Sequence, residues 1–147
     1  MTSREWVASP CERKKGFEMY ISVITLPVDD VERAIDFYTK KLGWDKTMDV
    51  AMEYGRWVTV QPKGGQASLT LSKYTPDDGM TSKPGGNSGV IIEVDDVYKS
   101  CDQLKKAGVQ LESEPTTQPW GGWAQFKDSE GNIHGLHSPV PAGVSAN

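Results

Sequence analysis

The sequence holds very little cysteine and histidine. Cys11 and Cys101 are the two thiols in 147 residues. One falls in a polar stretch and one on an apolar helical stripe, which excludes a disulfide-built scaffold and points to a reducing, cytoplasmic setting. His134 and His137 are the two imidazoles. Three residues apart on a strand, they point to opposite faces and cannot share one metal ion without a bulge. No apolar run approaches the roughly 20 residues of a membrane-spanning helix. The leader, residues 1–18, carries Arg4, Arg13, Lys14 and Lys15 without the apolar core of a signal peptide. Basic charge is not in excess either: 16 Lys and Arg stand against 20 Asp and Glu, a net charge of −4. That balance gives no footprint for nucleic acid or an anionic membrane. A phosphate-cradling glycine loop, a dinucleotide fingerprint and a nucleophile elbow are all missing, and Pro84-Gly85-Gly86 fits none of them. Cys101 reads as an inert buried thiol, so covalent catalysis has no candidate nucleophile.

What the sequence does hold is a repeat. Val28-Asp29-Asp30-Val31 opens a run in which Val31, Ala34, Ile35, Tyr38 and Leu42 fall at helical spacing, closed by Gly43. Val94-Asp95-Asp96-Val97 opens a second run, with Val97, Cys101, Leu104 and Ala107 on one face and Gly108 after it. Val94 follows Val28 by 66 residues and Gly108 follows Gly43 by 65. An offset kept so closely over a whole unit indicates duplication. The paired aspartates sit where a helix start leaves backbone N–H groups without partners, and Asp29 with Glu32 approximates a capping box.

Around these helices the pattern predicts strands at residues 20–28, 44–52, 56–61 and 67–72, then 88–94, 109–113, 122–127 and 133–137. Each half is β-α-β-β-β. The boundaries read as leader 1–18, first module 19–74, linker 75–87, second module 88–138 and tail 139–147, forming one domain with a shared core. Leu69 and Leu71 alternate with Ser68, Thr70 and Ser72, and Val58 and Val60 alternate with Trp57, Thr59 and Gln61. One sheet face therefore takes the helices. The other is polar with tryptophans and looks toward a ligand.

The doubled plan, the helix entry through Phe37-Tyr38 with Leu42-Gly43, and Pro119-Trp120-Gly121 followed by Asp128-Ser-Glu-Gly-Asn132 resemble the vicinal oxygen chelate superfamily of glyoxalase I, extradiol dioxygenases and bleomycin-resistance proteins. The resemblance covers roughly residues 20–137. It implies an α+β fold in which two tandem β-α-β-β-β modules form a curved mixed sheet around a concave groove, with helices on the outer face. It also implies four inward metal-ligand positions, which fall on Val23, Thr70, Gly89 and Gly135. None carries an imidazole or a carboxylate, so no metal and no other cofactor is expected.

The candidate ligand-binding residues are Tyr54, Trp57, Thr59, Gln61, Thr70, Glu93, Trp120, Trp123 and Gln125. Glu93 reads either as a partly desolvated general base or cation anchor, or as a solvated carboxylate at a strand end. His137 reads as an acid or base sharing the concave face, or as a rim histidine. Trp44 closes the core, whereas Trp120 stands on a loop suited to a ligand or subunit contact. The expected function is metal-independent binding of an aromatic or polycyclic small molecule, as bleomycin-resistance proteins sequester theirs, in a homodimer that covers exposed sheet edges. The alternative is a metal-independent isomerase, lyase or cyclase using Glu93, with His137 or Tyr54 as partner. A duplicated domain serving protein contacts alone is a third reading.

Overall fold

The computed structural model describes residues 19–53, 55–76 and 82–140. The elements run β1 (Val23–Val28), α1 (Val31–Asp36) continued by a π-helical turn (Phe37–Lys41), β2 (Asp45–Met52), β3 (Gly55–Gln61) and β4 (Ser68–Lys73). The second set is β5 (Gly86–Glu93), α2 (Val97–Lys106), β6 (Leu111–Gln118), β7 (Gly121–Lys127) and β8 (Asn132–Ser138). They form two four-stranded mixed sheets, ordered β1-β4-β3-β2 and β5-β8-β7-β6. In each, the first strand lies parallel to the last, which is the pairing a crossover through a helix permits. The tandem β-α-β-β-β plan of an α+β protein is thus present. Its sheets stay separate, and neither closes on itself.

Several boundaries differ from the sequence pattern. β1 starts at Val23 rather than at residue 20, and β5 starts at Gly86, inside the stretch read as linker. β6 extends to Gln118 through Pro115. An edge strand with register breaks tolerates a residue that cannot donate to a ladder. The helix caps are Asp30 and Asp96, the second aspartate of each pair. Asp30 accepts from Arg33 N, and Glu32 is drawn away to Arg56, so no Asp29–Glu32 capping box forms.

One cluster of buried side chains joins both modules. It runs from Leu26, Val28, Ala34, Ile35, Phe37 and Tyr38 through Val58, Val60, Leu69 and Leu71 to Val97, Cys101, Ala124, Phe126 and Leu136, with Trp44 packed against its side. The aliphatic face of each sheet therefore looks inward at a common core, and the tryptophan-bearing faces look away from it. The π-helical turn, marked by Leu42 N donating to Phe37 O across five residues, turns the adjacent Phe37 and Tyr38 both inward. Phe37 stacks on Phe126 of the second module at 6.5 Å between ring centres.

The seam between modules is polar at its centre. Tyr38 donates its hydroxyl to Asp128 Oδ2 at 2.7 Å and lies 2.6 Å from His134 Nε2, while His134 Nδ1 lies 2.7 Å from Ser88 Oγ. The ring thus bridges the Tyr38 hydroxyl of the first module and the Ser88 hydroxyl of the second, and Ser88 Oγ itself donates to Ile133 O at 2.9 Å. His134 is fully buried, and burial pushes its pKa down to about 4, against the pull of Asp128. Beside it, Glu130 Oε1 accepts from the backbone nitrogens of Asp29 and Asp30 at 2.9 and 3.0 Å, and the same carboxylate takes two bonds from Arg33. Burial opposes ionisation of Glu130, but the bonds from Arg33, Ser129, Asp30 and Asp29 outweigh it and hold the pKa at about 2. Asn132 Nδ2 donates to Pro27 O at 2.9 Å. The turn of residues 128–132 thus ties the second module to the start of the first helix.

Candidate ligand-binding site

On the first module, strand pairing sets Thr25 beside Thr70, Thr70 beside Thr59, Met48 beside Thr59, and Val50 beside Trp57. These side chains share the outward face. Met48, Val50 and Met52 are exposed there, and the alternation of three apolar residues along β2 is the sequence signal that would have assigned them to this face. A cavity of about 600 Å³ lies on it, lined by Thr25, Met52, Arg56, Trp57, Thr70 and Ser72 among others. Thr70 is 3% exposed, and its hydroxyl has no hydrogen-bond partner. Thr59 is also buried, and its hydroxyl is taken by Thr47 at 2.6 Å. Gln61 is committed at both ends of its amide, to Gly65 O and to Ser68 Oγ. Tyr54 lies outside the described residues.

The second module repeats the arrangement with different chemistry. Trp123 follows Trp57 by 66 residues and His137 follows Ser72 by 65, so the duplicated scaffold places a tryptophan at the same strand position in both sheets. Trp123 pairs with His137 and Gln125 with Gly135 across β7 and β8. The Trp123 ring lies over Gly135 so closely that a Cβ there would run into it. Trp120, 55% exposed in the β6–β7 turn, meets Trp123 edge-on at 5.7 Å and 72°. Its other neighbour is His137, whose ring stacks on it at 6.0 Å and 17°. His137 Nδ1 lies 2.7 Å from Glu93 Oε1, and Nε2 lies 3.0 Å from the Trp120 carbonyl oxygen. The bond to the Trp120 carbonyl and the Glu93 carboxylate raise the His137 pKa above its ordinary value.

The sequence-derived candidates therefore fall into two groups. Glu93, Trp120, Trp123, Gln125 and His137 come together on the second sheet, while Trp57, Thr59, Gln61 and Thr70 gather on the first. Glu93 also lines a cavity of about 380 Å³ together with Ile24, Trp44 and Leu69 of the first module. The two histidines point to opposite faces of β8, His134 into the seam and His137 outward. The four positions that the resemblance suggests for a metal carry Val23, Thr70, Gly89 and Gly135, none with an imidazole or a carboxylate, and among the described residues no three His, Cys, Asp or Glu side chains cluster. That donor set does not fit a divalent ion.

The fold and these faces define a tandem-module α+β protein whose sheets turn aromatic side chains away from a shared core. Residues 20–134 match the family profile described as Glyoxalase/Bleomycin resistance protein/Dioxygenase superfamily, and the chain belongs to that family. Among solved structures it is similar to TnmS3, an antibiotic binding protein from Streptomyces sp. CB03234, at 35% identity and TM-score 0.73, covering 83% of this chain and 97% of that one. It is likewise similar to a superfamily member from Sphaerobacter thermophilus DSM 20745, at 33% identity and TM-score 0.74, covering 82% and 97%. The uncharacterized protein YetH of Bacillus subtilis (strain 168) is 30% identical over 114 residues, spanning 77% of this chain and 92% of that protein.

Proposed function

We propose that the protein binds and sequesters an aromatic or polycyclic small molecule without a metal ion. The observation that carries this reading is the corner formed by Trp120 and Trp123. Two large indoles meet at 72° on an outward sheet face, one of them more than half exposed, where a planar ligand can lie against one ring and abut the other. Similarity to an antibiotic binding protein supports a natural-product ligand and a role in antibiotic resistance. Val23, Thr70, Gly89 and Gly135 supply no ligand set, so a divalent metal is given no part.

The protein acts as a homodimer in the cytoplasm on this reading. Each chain offers two open tryptophan-bearing faces and four outer strands, β1, β2, β5 and β6, with one edge unpaired in its sheet. A second copy laid against them would cover both edges and faces. The paucity of cysteine supports a reducing compartment.

A second reading, a metal-independent isomerase, lyase or cyclase, draws on the Glu93–His137 contact, with Glu93 as general base. It sits less well with His137, whose ring nitrogens are both committed to fixed acceptors.

Calorimetric titration with a panel of polycyclic aromatic antibiotics, with and without EDTA, tests the proposal. The expected result is micromolar or tighter binding to at least one compound, unchanged by chelator. Absence of binding across the panel, or binding lost with EDTA, would sink it. Light scattering at micromolar concentration should give twice the monomer mass. Turnover of a bound compound, lowered about a hundredfold by Glu93→Gln with affinity retained, would move the assignment to the enzyme reading.

A further inference from the structure

The way Trp120 is held carries a further step. His137 Nδ1 faces a carboxylate oxygen of Glu93 at 2.7 Å, and Nε2 faces the backbone carbonyl oxygen of Trp120 at 3.0 Å. A carboxylate and a carbonyl both accept, so each contact requires an N–H from the ring. A neutral imidazole has one N–H. Both contacts are satisfied together only by the imidazolium, whose charge is further favoured by the stacked indole of Trp120.

The surroundings are built for this close approach. Gly121, next to Trp120, has φ +130, and a Cβ on it would lie 2.7 Å from His137 Nε2 and collide with the Ser138 carbonyl. A residue without a side chain is therefore needed for the turn to reach β8. Glu93 on β5 is the charged group facing the ring. β7 and the turn bring Trp123 and Trp120, and β8 itself brings Ser138, none of which titrates.

We propose that protonated His137 is a positioning residue: it pins the Trp120 turn to β8, completes the corner with Trp123, and makes aromatic-ligand binding depend on its own proton. Loss of that proton as pH rises leaves either Glu93 or the Trp120 carbonyl without a donor. The carbonyl can turn to water with its loop, so the corner loosens. The proposal rests on the small-molecule reading above and names the device that regulates that site.

Two measurements test it, the first needing no ligand. Tryptophan emission of the free protein should titrate with a midpoint above the ordinary imidazole value, because an imidazolium stacked on an indole quenches it. Trp120→Phe should remove the transition. Glu93→Gln, which still accepts a hydrogen bond but brings no charge, should move its midpoint to lower pH. The second measurement follows the neutral, non-titrating fluorophore 1-pyrenemethanol by its own emission. Its affinity should fall at least about fivefold from pH 6 to pH 9, in step with the emission change, as expected when the competent fraction drops. His137→Gln should bind it weakly, with a flat pH profile.

An emission that does not titrate, or one whose midpoint is indifferent to Glu93→Gln, overturns the proposal. So does equal fluorophore affinity at pH 6 and 9. Titrating emission with no binding of any planar aromatic compound would instead leave the pin in place and remove the ligand reading, with its pH control.

Discussion

The phenol oxygen of Tyr38 and Nε2 of His134 lie 2.6 Å apart across the seam between the two modules. Both groups are buried, so His134 keeps this place as a neutral ring. Its pKa is about 4 when folded and near 6.5 when unfolded. Between those values the unfolded chain binds a proton that the folded protein refuses. Stability is therefore full above about pH 6.5 and declines as pH falls toward 4, by an amount on the order of 2–3 kcal/mol. Urea unfolding at pH 7.5, 6 and 5 should show this decline, and His134→Gln should be less stable at neutral pH with a shallower slope. Parallel profiles for the two proteins would remove His134 as the cause.

Glu130 satisfies two backbone donors at the start of α1 from the opposite module. Truncating it leaves Asp29 N, Asp30 N and the Arg33 guanidinium without their acceptor. Glu130→Ala should cost about 2–4 kcal/mol, read from the midpoint of chemical unfolding. Arg33→Ala should cost less, because that side chain is 54% exposed and water replaces part of what it loses.

Thr70 presents the reverse case. Its buried hydroxyl has no partner, so Thr70→Val keeps the shape and removes a desolvated polar atom. The variant should be more stable by about 0.5–1 kcal/mol in thermal unfolding. A loss of stability would show that the hydroxyl is bonded in solution, most simply to water.

Gly135 makes room for Trp123. Gly135→Ala should displace that ring and weaken binding of a planar ligand at the second face. Trp123→Ala should cost about 2 kcal/mol, roughly thirtyfold in affinity, as at a hot-spot position. Calorimetry on both variants, with circular dichroism as a folding check, decides it. Unaltered affinity in each would return Trp123 to a purely structural role.

The repeat, the alternation of β3 and β4, and the outward placement of Trp57, Trp123, Glu93 and His137 were legible in the sequence because each is a local periodicity. A helix stripe or a two-residue strand repeat survives whatever packs beyond it. The seam was not legible. Asp128, Glu130 and Asn132 read as turn residues, and nothing local says that Glu130 will cap a helix begun 100 residues earlier. The one available hint was two acidic side chains in a five-residue turn, more than the turn itself needs. Adjacent aromatics at Phe37 and Tyr38, both buried, likewise ask for a widened helical turn, a requirement that a 3.6-residue stripe cannot express. His134 was read only as facing away from His137, and the packing places it as a buried bridge between Tyr38 and Ser88.

The shared core has a bearing on how such a protein can change. Trp57 and Trp123 occupy matching places in the duplicated units, yet buried aliphatic side chains lie between the sheets that carry them. Trp57 and Trp123 stand on different sheets, so the effects of substituting each on folding should add rather than interact. Each copy of the ancestral unit is in that sense a separate drawing board. One carries an indole corner beside His137, the other a threonine-lined bowl, and either face can change while the hydrophobic interior and the acidic turn keep the chain folded.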